Sequence, residues 1–365
     1  LLTKLLAPIA AALLLVAQPA GAATLEEMAG QMIIVGFGGD SVGDAGVEAA
    51  KSAIAAGIIG GVMYLKSNVA TLPAVERMNA AFAAAAPNLP PFITLDQEGG
   101  AVERLTEDVG FPEIPRASAV AADNDPQGAE VLYSAMAHGV ADLGFTVNFG
   151  PVVDLDINPR NAIIARYGRS YGSDPRRVVD YAAAFIRAHR GAGLLTALKH
   201  FPGHGSSAGD SHEGFVDITR TWSPAELDPY RSLVAAGFDE FVMVGHLHHE
   251  QYSSADPDLP ASLSADWIEG VLRHDIGFTG LVISDDLEMG ALRQHYDLRQ
   301  TVTMAVRAGM DVLLFSNTAQ PRVSLGAEVR DILISEAEAD PAFRARIEAS
   351  YGRIVALKGR LAAPQ

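Results

Sequence analysis

The stretch LLTALKH at residues 194–200 and its counterpart LVISDD at 281–286 share one pattern, an apolar run that ends abruptly in ionisable side chains. Short apolar runs bounded by polar residues read as strands buried on both faces of a parallel sheet. Six more such runs lie at 31–37, 58–65, 92–97, 145–155, 240–247 and 311–316. Between them helical periodicity recurs at 47–56, 73–85, 127–143, 175–192, 224–236, 265–275 and 298–308, with a last helical stretch at 341–358. Asp174-Pro175 and Ser223-Pro224 each place an N-cap before a proline of the first turn, where its missing N–H costs nothing, and Ser264 likewise precedes its helix. Eight strands alternating with helices predict an α/β protein built as a single (β/α)8 TIM barrel.

The 365 residues are 49% hydrophobic and 19% charged, enough apolar material to bury a core and to exclude disorder. No composition shift or linker divides the chain, so residues 24–365 are read as one barrel domain. Lys and Arg number 27 against 44 Asp and Glu, a net charge of -17, and no basic run occurs, which argues against a nucleic-acid partner. Without cysteine, disulfides, thiolate zinc sites and Cys nucleophiles are excluded. Lys4 precedes an apolar run at 5–17, followed by Gln18, Pro19 and the small residues Ala20, Gly21, Ala22 and Ala23. That pattern reads as a cleavable signal peptide over residues 1–23. The apolar run is too short to span a bilayer and no lipid-accepting cysteine follows it, so no stable membrane anchor is expected. The expected location is periplasmic or secreted, with cytoplasmic residence as the alternative.

A barrel of this type carries its chemistry at the C-terminal ends of the strands. There the runs end in Asp96-Gln97-Glu98, Asp154 with Asp156, Lys199-His200, His246 with His248, and Ser284-Asp285-Asp286. A single Asp at a strand end serves as readily for a turn as for function; so concentrated a set is better explained by a site. Lys199 at the mouth of an apolar strand needs a partner, either Asp96 or a ligand. Long connections at 98–125, 156–174 and 203–223 follow strands and would form the active face. His200, His204, His212, His246 and His248 are candidate metal ligands, but their spacing matches no zinc pattern such as H-E-x-x-H. Gly99-Gly100 lacks the further glycines of a nucleotide loop, so neither metal nor cofactor is expected. His249 reads as a surface residue, Trp267 as core, and Trp222 as a residue that could stack on sugar, while Tyr167 and Tyr171 carry no assigned role.

Lys199-His200-Phe201-Pro202-Gly203-His204-Gly205, then four residues, then Asp210-Ser211-His212, resembles the pattern K-H-F-P-G-H-G-x4-D-S-H of family 3 glycoside hydrolases of the β-N-acetylhexosaminidase type, at every fixed position. Asp96-Gln97-Glu98-Gly99-Gly100 with Arg104 resembles the family's D-Q-E-G-G-R-V-x-R, with Ala101 where the family usually has Arg. Arg169-Ser170-Tyr171 with Asp174-Pro175 resembles its R-S-[FY]-x-x-D-P, and Ser284-Asp285-Asp286-Leu287 its nucleophile segment.

This resemblance implies a retaining exo-β-N-acetylglucosaminidase that removes terminal β-linked N-acetylglucosamine from peptidoglycan (muropeptide) or chitin-derived fragments. It also implies Asp285 as nucleophile, His212 as acid/base oriented by Asp210, and Asp96, Arg104, Arg169, Lys199 and His200 as ligands of the sugar hydroxyls. The residue types suit these roles. A retaining glycosidase needs a nucleophile and a proton donor on either side of C1. Asp285 and Asp286 alternate on a strand, so only one reaches inward, and the resemblance selects Asp285. A histidine titrating near neutrality can give and take the proton, and its Gly-flanked loop would let it approach once sugar binds. The alternatives are a β-glucosidase or β-xylosidase of the same family, a β-N-acetylglucosaminide phosphorylase and, outside enzymes, a secreted sugar-binding protein with an inactive site.

Overall fold

The computed structural model describes residues 23–86, 88–211, 214–255 and 258–361, so the expected leader lies outside the described residues except for Ala23. Among the described residues ten strands occur in chain order: β1 (Ile33–Gly36), β2 (Gly61–Met63), β3 (Phe92–Leu95), β4 (Val147–Asn148), β5 (Leu195–Phe201), β6 (Val216–Asp217), β7 (Phe241–Val244), β8 (Leu247–His248), β9 (Leu281–Ser284) and β10 (Leu313–Phe315). Eight form one sheet in the order β10-β1-β2-β3-β4-β5-β7-β9, all in parallel register. Its two ends meet where Val312 N–H donates to the Val282 carbonyl and Ser284 N–H to the Val312 carbonyl, both at 3.1 Å, which closes the expected (β/α)8 barrel. β6 and β8 pair separately as a small two-stranded sheet.

Each of the eight apolar runs holds one barrel strand, and in all but β5 the hydrogen-bonded part is shorter than the run. In 145–155 the ladder stops after Asn148, because Gly150 N–H turns back to the Asn148 carbonyl and Pro151 has no N–H to give. Toward β5 single bonds continue past that point: Ala197 N–H donates to the Gly150 carbonyl at 2.7 Å and Val153 N–H to the Lys199 carbonyl at 2.8 Å. The expected caps form as well: an Asp174 carboxylate oxygen accepts from Arg176 N–H at 3.0 Å, and the Ser223 hydroxyl from Ala225 N–H at 3.3 Å.

Several elements depart from the sequence reading. The connection 98–125 contains the helix Ala117–Asp123, and 203–223 contains β6. A helix at Leu325–Ala339 was not anticipated, and Asp266–Asp275 winds as a π-helix rather than an α-helix. Inside the barrel Phe92, Phe149 and Phe241 meet edge to face, with centroids 5.2 and 6.5 Å apart. Lys358, from the helix Pro341–Leu361, stoppers the N-terminal end: its ammonium lies 4.6 Å above the Phe92 ring and donates to Gln31 Oε1 and the Gly60 carbonyl, each at 2.7 Å. The opposite end is thereby left for chemistry.

Candidate active site

At the C-terminal end of the barrel a cavity of about 250 Å³ is lined by Asp96, Arg104, Arg169, Lys199, His200 and Asp285, together with Glu98 and His204. Six of the eight residues singled out from sequence thus meet in one pocket, although they come from β3, β5, β9 and two long loops. Neighbours on a regular strand face opposite sides. The register between β5 and β7 shifts between Leu198 and Phe201, and such an irregularity re-aims side chains, so both Lys199 and His200 reach the cavity.

One side of the pocket is a chain of buried ion pairs. Lys199 Nζ donates to Asp96 Oδ1 and sits against Glu98 Oε1, both at 2.7 Å. Asp96 Oδ2 accepts from Arg104 at 2.8 Å, and Glu98 accepts both arms of the Arg169 fork at 2.8 Å. Burial raises the Asp96 and Glu98 carboxyls, but the neighbouring cations outweigh it and hold both below the ordinary carboxylate range. Burial likewise lowers Lys199, and the two carboxylates more than reverse this. Asp96, Arg104 and Lys199, expected to hold sugar hydroxyls, therefore first hold one another. Their remaining donors and lone pairs are fixed in direction before any sugar arrives.

A second layer orients the imidazole of His200. Asp154 is fully buried, and its carboxylate accepts from His200 Nδ1 at 2.7 Å and from the backbone N–H of His204 at 2.8 Å. Because the carboxylate can only accept, Nδ1 carries the proton, and Nε2 faces Arg169 at 3.4 Å. His204 lies between the Ser207 and Ser211 hydroxyls at 2.6 and 3.5 Å, and burial lowers its imidazole to about 4, so it is neutral at pH 7.

On the far wall, Asp285 follows β9 directly. Its N–H donates to the Val244 carbonyl at 3.0 Å, and its Oδ1 accepts from Asp286 N–H at 2.8 Å. Asp286 is turned elsewhere: its Oδ1 accepts from Ser316 N–H at 2.9 Å and Glu288 N–H at 3.1 Å, which ties the turn after β9 to β10. His246 secures the same turn, since Nε2 must donate to the Asp286 carbonyl, 2.9 Å away. The alternation expected of these two aspartates is thus present, with Asp285 on the cavity side.

The loop after β5 closes the pocket through Ser211, and Asp210 immediately precedes it. His212 lies outside the described residues. The sequence reading gave no role to the group beneath this loop. Glu226 is buried, accepts from Gly205 N–H at 2.8 Å, and leaves no room for a side chain at Gly203 (φ +118°), where a Cβ would come within 2.5 Å of its own. Nothing in the stretch Ser223-Pro224-Ala225-Glu226 marks this carboxyl as buried. Glu98 and Asp154 were visible as strand-end acids, but only the structure shows that they orient Arg169 and His200.

Burial pushes Glu226 up to about 7. The folded protein then keeps a proton that the unfolded chain loses above its value near 4.5, so this contribution to stability is full at low pH and fades as pH rises to about 7. Relative to Glu226→Gln, which keeps the acceptor for Gly205 but cannot ionise, wild type should lose on the order of 3 kcal/mol between those limits. His189 and His204, both lowered to about 4, slope the opposite way but are common to both proteins and cancel. Denaturant melts of the pair at several pH values check this; a constant difference contradicts it.

His249, expected at the surface, is buried at 7% exposure against the rings of Trp222, Tyr252 and Trp267, because the small β6–β8 sheet folds it inward. Trp222 donates its indole N–H to the Pro202 carbonyl at 3.1 Å and packs on Trp267, so it props the catalytic-face loop from below. Tyr171 is buried and shares a 3.0 Å hydrogen bond with Tyr133. His248 Nδ1 donates to the Leu259 carbonyl at 3.1 Å, a structural bond like that of His246.

Comparison with known proteins agrees with this fold. Residues 24–357 match the glycosyl hydrolase family 3 N-terminal domain. A β-hexosaminidase of Stenotrophomonas maltophilia (strain R551-3) is 36% identical over 265 residues, 70% of this chain and 76% of that protein. Among solved structures, a family 3 β-N-acetylglucosaminidase from Paenibacillus sp. str. FPU-7 superposes with a TM-score of 0.84 at 32% identity over 94% of this chain. A β-N-acetylhexosaminidase from Beutenbergia cavernae gives 0.81 at 29% identity, covering 93% of this chain and 99% of that one. This chain spans only 64% of the Paenibacillus protein. The barrel, the motif residues gathered in its mouth and these relatives place the chain in glycosyl hydrolase family 3.

Proposed function

We propose that the protein is a retaining exo-β-N-acetylglucosaminidase that releases terminal β-linked N-acetylglucosamine from peptidoglycan or chitin-derived fragments. The observation that carries this reading is that Asp285 and the Asp96–Lys199–Glu98–Arg169–His200 cluster line one cavity of about 250 Å³ at the barrel mouth. A cavity of that size accommodates a single pyranose, which fits action at a chain end. The name borne by the Paenibacillus relative, a β-N-acetylglucosaminidase, supports the N-acetylated sugar, and that of the Stenotrophomonas β-hexosaminidase supports an amino sugar.

In the first step an Asp285 carboxylate oxygen attacks C1 while the C1–O bond to the leaving group breaks and His212 gives its proton to the departing oxygen. In the second, His212 takes a proton from water, the water oxygen attacks C1, and the ester to Asp285 opens, so the anomeric configuration is retained. Asp210 orients the imidazole, as carboxylate–histidine pairs do elsewhere. Ser211, next to His212, lines the cavity, which supports its placement beside the leaving oxygen. Lys199, Arg104, Arg169, His200 and Asp96 hold the hydroxyls by charge-assisted hydrogen bonds. We also propose that 24–365 works as one barrel domain after export of the protein and removal of residues 1–23; N-terminal sequencing of the secreted form tests this.

Side-by-side assays with aryl β-N-acetylglucosaminide and aryl β-glucoside test the substrate. Preference for the unacetylated glycoside would assign a β-glucosidase instead. Formation of sugar 1-phosphate on adding inorganic phosphate would assign a phosphorylase.

A further inference from the structure

Thirteen of the fourteen phenylalanines are buried; Phe215 alone is exposed, at 41%. It sits three residues beyond His212 and forms one wall of a second cavity, about 430 Å³, whose other walls are Asp258, Ala291, His295 and Tyr296. Two rings keep Phe215 in place: His248 lies 5.1 Å away at a tilt of 33°, and His295 lies 6.2 Å away. The cavity borders the sugar pocket. Ala291 N–H donates to the Ser211 carbonyl at 3.2 Å, and Ser211 lines the pocket that contains Asp285, whereas Ala291 lines the second cavity.

We propose that this second cavity is the aglycone subsite, taking the pyranoside ring of the leaving group with its C–H face against Phe215. The proposal rests on the function given above. Ser211 and Ala291 are hydrogen-bonded to each other and line one cavity each, so a leaving group that extends from the sugar pocket past Ser211 meets Phe215 and its neighbours. An exposed aromatic face is costly in water and is suited to the apolar face of a sugar ring. The edge of the cavity is polar: Asp258, His295 and Tyr296 carry groups that hydrogen-bond hydroxyls, as a sugar requires and an aliphatic ligand does not.

The test compares kcat/KM for a β-1,4-linked N-acetylglucosamine disaccharide with that for β-N-acetylglucosaminyl fluoride, whose leaving group has no ring. In Phe215→Ala the disaccharide-to-fluoride ratio should fall about 10-fold, through KM for the disaccharide, and Phe215→Tyr should restore it. His295→Ala, which leaves the loop sequence intact, should move the ratio in the same direction. A ratio within about twofold of wild type in both alanine variants overturns the proposal. Failure of the underlying reading looks different: wild type would then turn over neither N-acetylglucosaminide.

Discussion

Asp285→Asn is expected to lower kcat by about 10⁴-fold, a loss of about 5.5 kcal/mol of transition-state stabilisation. The amide matches the carboxylate in shape and can still accept from Asp286 N–H at the position now 2.8 Å away, so the fold has little reason to change. What disappears is the negative charge facing the developing oxocarbenium ion and the lone pair that bonds to C1. Asp286→Asn supplies the contrast. Its Oδ1 serves the backbone N–H groups of Ser316 and Glu288, which an amide oxygen also serves, so its effect should stay within about tenfold. Steady-state assays on an aryl β-N-acetylglucosaminide check both, and near-normal turnover in Asp285→Asn removes the mechanism.

Lys199→Met is expected to destabilise the fold by about 3–5 kcal/mol, the usual cost of stranding buried charge. The methionine fills much the same volume, but Asp96 and Glu98 lose the ammonium that each meets at 2.7 Å and remain together in a buried site. Arg104 and Arg169 still pair with one carboxylate each, which sets the upper bound. The pH dependence separates charge from packing. Without Lys199 the folded-state affinity of the two carboxyls for protons rises, so part of the lost stability returns as pH falls toward 4. Denaturant melts at pH 7 and pH 4 check this, and an equal deficit at both values would point to packing alone.

The barrel was legible because strand-length apolar runs and helical stretches alternated eight times, and because the capping residues Asp174 and Ser223 stood where helices begin. The motif residues were legible as a site because polar groups at strand ends have one common destination in such a barrel. Contacts made by residues far apart in sequence were not. Asp96 meets Lys199 across 103 positions and Glu98 meets Arg169 across 71, and no local pattern encodes either distance. Glu226 escaped notice because a glutamate after Ser-Pro-Ala reads as the exposed first turn of a helix, and its burial depends on the glycine turn at 203–205 folding over it. His249 was misjudged for a similar reason, since the pairing of β6 with β8 is set by a loop, not by periodicity.

The central claim, that Asp285 bonds covalently to the sugar, is tested most directly by trapping that bond. A 5-fluoro-N-acetylglucosaminyl fluoride loses its anomeric fluoride as the C1–Oδ bond forms, while the ring fluorine slows hydrolysis by destabilising the oxocarbenium-like transition state. Mass spectrometry of the digested protein should then find one sugar added to the peptide that contains Asp285. A label on any other carboxylate, or release of product with inverted anomeric configuration and no label, would contradict the account.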